Sequence, residues 1–224
     1  MNKLDYLSHN WLALRINNVA LRKNMHLISG RVLDMGCGDC PYKEDILKVA
    51  DEYSGVDWAN SLHECSSVDV YADLNKELPF PDGYANTITA FQVLEHLGEP
   101  LNFLKECHRI LAPGGRLLIT VPFLWGVHEA PYDYYRYTNY GLEYLLRKAG
   151  FIDIAIKENA CLWATWILRF NYHSCRYARG LLKLFFIPIW FVGQVLAILL
   201  DKIDKNEADV ASHTVLAVKA QLSR

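Results

Sequence analysis

Short apolar runs alternate with helical patterns along most of this chain. The runs are rich in β-branched residues, and turn residues or acids bound them. They predict strands over 31–35, 53–57, 67–72, 85–91, 116–121, 151–157 and 213–220. Because strands that alternate with helices form parallel sheets, we predict an α/β protein with a doubly wound, mostly parallel sheet.

Helical spacing and end signals predict the connecting helices. Residues 1–28 are expected to form a helical cover over one edge of the sheet, and 42–50 a helix after the first strand. Pro100 suits a first helical turn, and the Pro-Gly-Gly sequence from Pro113 is expected to end that helix. Thr138 is expected to cap a helix that runs to Lys148.

Residues 160–211 interrupt the alternation with an apolar helical insertion between the sixth and seventh strands. The stretch 184–200 carries no charge and barely reaches the span of about 17–25 residues that crosses a bilayer. A single crossing would also place the seventh strand on the opposite side of the membrane from the rest of the sheet. We therefore expect residues 181–200 to lie in a membrane interface. A lid or a homodimer face buried against protein is the alternative.

Composition narrows the class of protein. A chain of 224 residues suits a single domain over 1–224, and a formal net charge of −2 gives no basic field for nucleic acid. No second cysteine or histidine pair completes a zinc set around Cys37 and Cys40, so no metal is predicted. The N-terminus lacks a signal-peptide pattern, which predicts a cytoplasmic protein, with a peripheral position at the inner face of the membrane left open.

A glycine turn follows the first predicted strand. Gly36 and Gly38 bracket Cys37, and glycine permits both positive φ and close approach of a ligand. The second predicted strand ends in Asp57. A glycine turn after one strand and an acid at the tip of the next is how α/β sheets hold a nucleoside. Pro41 stands where a nicotinamide fingerprint needs its third glycine, so the pattern favours another adenosine-type cofactor.

Five motifs in register carry a family resemblance. They are VLDMGCG from Val32, GVDW from Gly55, ADLNKELPFPDG from Ala72, FQVLEHL from Phe91 and LAPGGRLLITVPF from Leu111. In this order they resemble class I S-adenosylmethionine-dependent methyltransferases of the ubiquinone/menaquinone-biosynthesis-like, small-molecule group, over about residues 28–158 and 213–220. The resemblance implies a seven-stranded Rossmann-like sheet of order 3-2-1-4-5-7-6, with strand seven antiparallel, and S-adenosyl-L-methionine as cofactor.

The same resemblance assigns cofactor-binding roles. The methionine end and the turn are assigned to Asp34, Gly36, Cys37 and Gly38. Asp57 would accept hydrogen bonds from the ribose, Trp58 would lie against adenine, and Asp73 with Leu74 would meet the adenine amino group. Phe91 and Gln92 would border the sulfonium and the substrate. For Asp34, Asp57 and Asp73, an ordinary capping or turn role is the alternative.

Residues 127–138 are expected to form the acceptor side, because they follow the fifth strand at the end of the sheet where ligands bind. The segment resembles the acceptor loop of methyltransferases associated with cell-surface saccharide genes. His128 is the candidate base or substrate binder, against a role in ordering the loop, and His96 is a second catalytic candidate, against helix capping. The expected substrate-binding residues are Tyr132, Asp133, Tyr135 and Arg136, although Arg136 could equally pair with Asp133.

The predicted function is in-line methyl transfer to an oxygen of a small or lipid-linked, saccharide-like acceptor. A quinone or other lipid methyltransferase is the alternative enzyme. A non-catalytic cofactor-binding protein, docked to a membrane or a partner, is the alternative outside enzymes.

Overall fold

Seven strands form one sheet in the computed structural model, which describes residues 5–60 and 67–221. The order is β3-β2-β1-β4-β5-β7-β6, and only β7 runs antiparallel to its neighbours. This confirms the predicted fold class and strand order. The strands are β1 Arg31–Met35, β2 Glu52–Asp57, β3 Val70–Tyr71, β4 Ala85–Phe91, β5 Leu111–Pro122, β6 Ile152–Asn159 and β7 Ser212–Val218.

Six α-helices accompany the sheet in the described residues. They are α1 Trp11–Asn24, α2 Lys43–Ile46, α3 Pro100–Ile110, α4 Asn139–Lys148, α5 Leu162–Ser174 and α6 Leu181–Ile203. The Thr138 hydroxyl accepts a hydrogen bond from the Gly141 amide at 3.0 Å, so the predicted cap of α4 is present. The predicted N-terminal helix is shorter than expected, since α1 begins at Trp11, and residues 1–4 lie outside the described residues.

Three predicted elements differ in extent. The helix predicted over 42–50 is the single turn of α2, and β3 has only two residues. The Pro-Gly-Gly sequence lies within the range of β5 and does not end α3, which stops at Ile110. Positive φ at Gly114 and a register shift between Ala85 and Thr87 mark an irregular excursion of β5 there. The Lys219 ammonium caps α3 instead, donating to the carbonyls of Arg109 and Leu111.

Successive residues of the central strands pack into hydrophobic clusters on opposite faces of the sheet. Leu33 of β1 packs in the largest cluster with side chains of α3 and α4 such as Phe103 and Leu142. Val32 packs on the other face with Leu21 of α1. Helices therefore cover both faces, which leaves the carboxyl ends of the strands as the edge open to a ligand.

Two helices occupy the predicted insertion between β6 and β7. α5 and α6 pack against α1 through a cluster of Trp11, Leu12, Ala164, Leu168, Ala197 and Ala211. The side-chain amide of Gln194, in the middle of α6, accepts from the Leu12 amide and donates to the Ser8 carbonyl. By length and composition alone α6 could cross a membrane, yet these bonds fasten its centre to α1.

Candidate active site

The glycine turn after β1 has the backbone geometry predicted for it. Gly36 and Gly38 have φ of +68° and +51°, and a Cβ on Gly36 would stand 2.5 Å from Val93 Cγ2. The amides of Gly36 and Cys37 donate to the Val56 carbonyl at 2.7 and 3.2 Å, which ties the turn to β2. A Cβ on Gly38 would meet nothing within 4 Å. The turn is therefore closely packed at Gly36 and faces open space at Gly38.

Asp57 closes this turn from the tip of β2. Its two carboxylate oxygens accept backbone hydrogen bonds at 2.6 Å, one from Gly38 and one from Trp58, and the residue is only 8% exposed. A carboxylate offers about four lone-pair positions, so both oxygens can still accept from a ligand. Asp57 thus has a structural role and keeps the capacity predicted for it.

Asp34 lies inside the sheet, where its carboxylate is already bonded within the protein. Its oxygens accept from the Tyr53 and Thr89 hydroxyls, each at 2.7 Å. Burial raises the pKa of Asp34 to about 6, although both hydroxyl bonds oppose the shift. Asp34 is not among the residues that line the cavity described next. Its carboxylate therefore bonds to side chains of β2 and β4 and does not cap its own loop, and contact with the methionine end stays a prediction.

A cavity of about 590 Å³ opens beyond the carboxyl ends of β1, β2 and β4. This volume lies within the range of ligand pockets, about 300–1,000 Å³. Predicted site residues that line it are Gly36, Cys37, Gly38, Asp57, Trp58, Asp73, Leu74, Phe91, Gln92, His96 and Tyr132. Lining residues that the sequence reasoning missed are Asp39, Pro41, Asn60, Asn75, Val93, Leu97, Glu129 and Tyr134. Most of these stand within two positions of a predicted residue, and this proximity is the signal that could have found them.

Local bonds position the side chains around this cavity. Asp73 accepts from the Asn75 amide at 3.0 Å and pairs with Lys76 at 3.1 Å. Gln92 takes a positive φ of 58° and donates from its side chain to the Thr120 hydroxyl at 3.1 Å. The Trp58 ring meets the Tyr132 ring edge to face, with centroids 5.5 Å apart. Residues 127–138, the acceptor segment, therefore reach over the predicted adenine position.

Asp133 and Arg136 form an internal pair in the acceptor segment. The Arg136 guanidinium donates to both Asp133 oxygens at 2.6 and 2.7 Å, and the His128 amide donates to the same carboxylate at 2.9 Å. These bonds lower the pKa of Asp133 to about 2, with the Arg136 bond as the main cause. The pair is the alternative that the sequence left open, and neither residue lines the cavity.

Of the remaining residues predicted to contact the acceptor, some line the cavity and others do not. Tyr132 lines the cavity, whereas the Tyr135 hydroxyl donates to the Gly98 carbonyl at 3.2 Å and lies outside the lining. His128 also lies outside the lining, but its ring meets that of His96 edge to face at 4.8 Å. His96 does line the cavity, and its Nδ1 lies 2.7 Å from the Tyr132 carbonyl oxygen.

Glu95 is a residue of this site that the sequence reasoning missed. Its side chain is fully buried, and neither carboxylate oxygen has a hydrogen-bond partner in the described residues. Burial raises the pKa of Glu95 to about 8. Its main-chain carbonyl accepts from the Tyr134 amide at 2.9 Å, which holds the acceptor segment against the turn after β4. An acid between Leu94 and His96, directly after a buried strand, was the available signal.

Comparison with known proteins gives the family. The family described as "Methyltransferase domain" matches residues 12–177. A "Probable S-adenosylmethionine-dependent methyltransferase" of Mycolicibacterium smegmatis is 34% identical over 114 residues, which are 48% of this chain and 44% of that protein. A ubiquinone biosynthesis O-methyltransferase of Pseudomonas aeruginosa is 26% identical over 171 residues, or 65% of this chain and 69% of that protein. The chain spans about half the length of the first curated relatives it matches.

Solved structures agree in fold. A SAM-dependent methyltransferase from Archaeoglobus fulgidus superposes with a TM-score of 0.61 at 18% identity, covering 93% of this chain and 94% of that one. Phosphoethanolamine N-methyltransferase 2 of Haemonchus contortus, solved with S-adenosyl-L-methionine, gives 0.60 at 19% identity, over 96% of this chain and 57% of that one.

The chain belongs to the class I S-adenosylmethionine-dependent methyltransferase family, with S-adenosyl-L-methionine as cofactor. The residues present fit that cofactor. Gly38 faces open space, the buried Asp57 carboxylate has accepting capacity left, and the cavity lies between them and the acceptor segment.

Proposed function

We propose that this chain transfers a methyl group from S-adenosylmethionine to a hydroxyl oxygen of a small or lipid-linked, saccharide-like acceptor. One observation carries the proposal. The glycine turn and Asp57 line the same cavity as His96, Glu129, Tyr132 and Tyr134 of the acceptor side. A cofactor and an acceptor could therefore meet in one cavity, as direct transfer requires.

Asp57, Trp58 and Asp73 would hold the nucleoside at the β2 side of the cavity. Asp57 would accept from the ribose hydroxyls with the lone pairs that Gly38 and Trp58 leave available. Phe91 and Gln92 at the end of β4 would border the sulfonium, between the nucleoside and the acceptor. The bonds from Gln92 to Thr120 would keep this boundary fixed while ligands exchange.

The bound cofactor supplies a methyl group on positively charged sulfur, and transfer to the acceptor oxygen breaks the sulfur–carbon bond. The chain's own work is alignment, which can contribute roughly 7–11 kcal/mol to such reactions. The acceptor hydroxyl must also lose its proton, and the His96–His128 pair, of which His96 lines the cavity, is the candidate to receive it. The Tyr132 carbonyl beside Nδ1 of His96 favours the tautomer with hydrogen on Nδ1, which leaves the Nε2 lone pair available.

The surface of α6 supports a lipid-linked acceptor. Large apolar side chains stay exposed along this helix, among them Leu184, Phe185, Val192, Leu196 and Leu199. Cationic residues stand towards its two ends, with Lys183 before the apolar stretch and Lys202 after it. An apolar helix face with basic residues at its ends suits the boundary between lipid headgroups and acyl chains. We infer that α6 lies in that boundary, while Gln194 keeps the inner side of the helix on α1.

Quinone methylation is the second candidate. The relative from Pseudomonas aeruginosa is a ubiquinone biosynthesis O-methyltransferase, and a quinone precursor is also a lipid with a hydroxyl to methylate. The exposed face of α6 would serve either acceptor, so the membrane argument does not separate the two.

Radiolabelled methyl transfer tests the function. Protein and labelled S-adenosylmethionine would be incubated with free saccharides, a saccharide-rich lipid extract and hydroxylated quinones in separate arms. We expect label in the saccharide or glycolipid arm, and none with Asp57→Ala in place of the unmodified chain. Label only in the quinone arm would favour the second candidate. Tight cofactor binding without label in any arm would overturn the enzymatic proposal.

A further inference from the structure

Glu95, His96 and His128 come together at the acceptor end of the cavity. One nitrogen or oxygen from each lies within 4.8 Å of the corresponding atoms of the other two. We propose that these three side chains bind a divalent first-row transition-metal ion such as Zn²⁺, Mn²⁺ or Co²⁺. The ligands would be one nitrogen from each ring and one carboxylate oxygen. No metal was predicted from the sequence, because the only candidate ligand pattern in it was the Cys37 and Cys40 pair.

Fixed neighbours hold both imidazole rings in place. Nδ1 of His96 lies 2.7 Å from the Tyr132 carbonyl oxygen, which favours a hydrogen on Nδ1 and leaves Nε2 with its lone pair. Such a carbonyl partner on the second nitrogen is the usual way in which ring and tautomer are fixed for metal ligation. Nδ1 of His128 lies 3.2 Å from the Gly126 carbonyl oxygen and 3.3 Å from both Asp133 Oδ2 and the Arg136 guanidinium, so it has acceptors and a donor as neighbours. These contacts orient the His128 ring without selecting one tautomer.

Glu95 gives the independent sign of a missing cation. Its carboxylate is fully buried, and no described group donates a hydrogen bond to either oxygen. His96 Nε2 lies 3.7 Å from Oε1, beyond hydrogen-bond distance. The two side chains are therefore not hydrogen-bonded to each other, and a buried carboxyl group without a partner is costly. A cation between Glu95 Oε1 and His96 Nε2 would partner both atoms at once.

The ligand atoms of the three residues lie within 4.8 Å of one another, so they would have to draw closer around an ion. Metal–ligand bonds of about 2.0–2.2 Å in a tetrahedral site place ligand atoms roughly 3.4 Å apart. His96 Nε2 lies 3.7 Å from Glu95 Oε1 and 3.8 Å from Glu129 Oε2, so Glu129 is within reach as a fourth ligand. Two imidazoles with carboxylate oxygen favour first-row transition ions over magnesium or calcium, which prefer all-oxygen sites.

The position of the cluster suggests what the ion would do. His96 and Glu129 line the cavity, so an ion held by His96 would border the place where an acceptor hydroxyl must lie. A bound divalent cation lowers the pKa of a hydroxyl that ligates it. This role rests on the proposed methyl transfer, whereas ion binding itself does not, so the two proposals can fail separately.

Metal titration of chelator-treated, full-length protein tests the site. Zn²⁺ binding would be followed by calorimetry, and Co²⁺ binding by its visible absorption, which reports nitrogen ligands. We expect one ion per chain, with affinity at least tenfold lower in Glu95→Gln and in His128→Ala. The control His26→Gln removes an exposed histidine outside the cluster and should bind like the unmodified chain.

Two further measurements distinguish loss of metal binding from loss of folding or of cofactor binding. Circular dichroism would establish that each variant is folded, and if Glu95→Gln is not, the more exposed His128 carries the comparison. Calorimetry with S-adenosylhomocysteine would report cofactor binding independently of the metal. Absence of ion binding, or equal affinity in the cluster variants and in His26→Gln, would overturn the metal site and leave the methyl-transfer proposal standing.

Discussion

The two ends of the cavity differ in how their polar groups are satisfied. At the cofactor end, the carboxylates of Asp57 and Asp34 each accept two short hydrogen bonds from the protein itself. At the acceptor end, the Glu95 carboxyl group is buried, and neither of its oxygens has a hydrogen-bond partner among the described residues. The carboxylates at the cofactor end are thus satisfied within the chain, whereas the Glu95 carboxyl group at the acceptor end is not.

The two ends serve different kinds of ligand: every member of the family binds the same cofactor, whereas the acceptor varies from member to member. A turn that must follow a nucleoside closely needs glycine at set positions and an acid at the next strand tip. Acceptors differ from one methyltransferase to another, so no such fixed pattern is expected at the acceptor end. The comparison therefore predicts that substitutions at the two ends will separate binding from turnover.

Removal of the His128 side chain should produce the largest effect, and this effect should be on turnover and not on cofactor binding. We expect His128→Ala to lower kcat by about 10²–10⁴-fold, because it removes a proton acceptor or an ion ligand beside the acceptor. Cofactor affinity should stay unchanged, since His128 lies outside the cavity lining. Single-turnover assays with calorimetry would measure both. Equal loss of both properties would mean that His128 supports the segment through Asp133, and the two ends would no longer be separable.

Removing the Asp57 carboxylate should act at the other end. We expect Asp57→Ala to weaken cofactor binding by about a hundredfold, because hydrogen bonds to charged groups contribute roughly 1.5–3 kcal/mol each. Asp51→Ala removes an exposed acid just before β2 and is the matched control. Because Asp57 also binds the Gly38 amide, thermal unfolding must accompany the calorimetry. Unchanged affinity in a folded Asp57→Ala protein would contradict the assignment of this acid to the ribose.

More of the residues predicted for the cofactor than of those predicted for the acceptor line the cavity, for a physical reason. The glycine turn and Asp57 are close in sequence to the strands that place them, so order along the chain fixes their position. Glu95 and His128 meet only because residues 126–137 fold back on the turn after β4, through bonds such as Tyr134 to the Glu95 carbonyl. Asp133 and Arg136 were expected at the substrate, with pairing between them as an equal alternative, and the sequence alone could not decide between the two before the structure showed the pair.

The buried Asp34 should make stability depend on pH at the cofactor end. Its folded pKa of about 6 lies above the unfolded value of 3.8, so the native state binds the extra proton between these values. The free energy of unfolding should therefore fall as pH rises from about 4 to 6, by at most roughly 3 kcal/mol from this residue. Asp34→Asn keeps a side chain that can bond Tyr53 and Thr89 and should flatten this slope. Denaturant unfolding at several pH values would measure it, and an unchanged slope in Asp34→Asn would show that other groups cause it.

The smallest expected effect concerns the exposed face of α6. Leu196→Ser should lower binding to vesicles of anionic phospholipid by roughly tenfold, because half-burying a leucine in lipid contributes about 1–2 kcal/mol. Leu47→Ser is the matched control, since Leu47 is 46% exposed against 50% for Leu196 and lies away from α6, just after α2. Flotation would measure the bound fraction. If the unmodified chain stays with the soluble fraction and sediments as a dimer that Leu196→Ser dissociates, a second copy covers this face. The exposed face of α6 would then be covered by protein, and the case for a lipid-linked substrate would lose its main support.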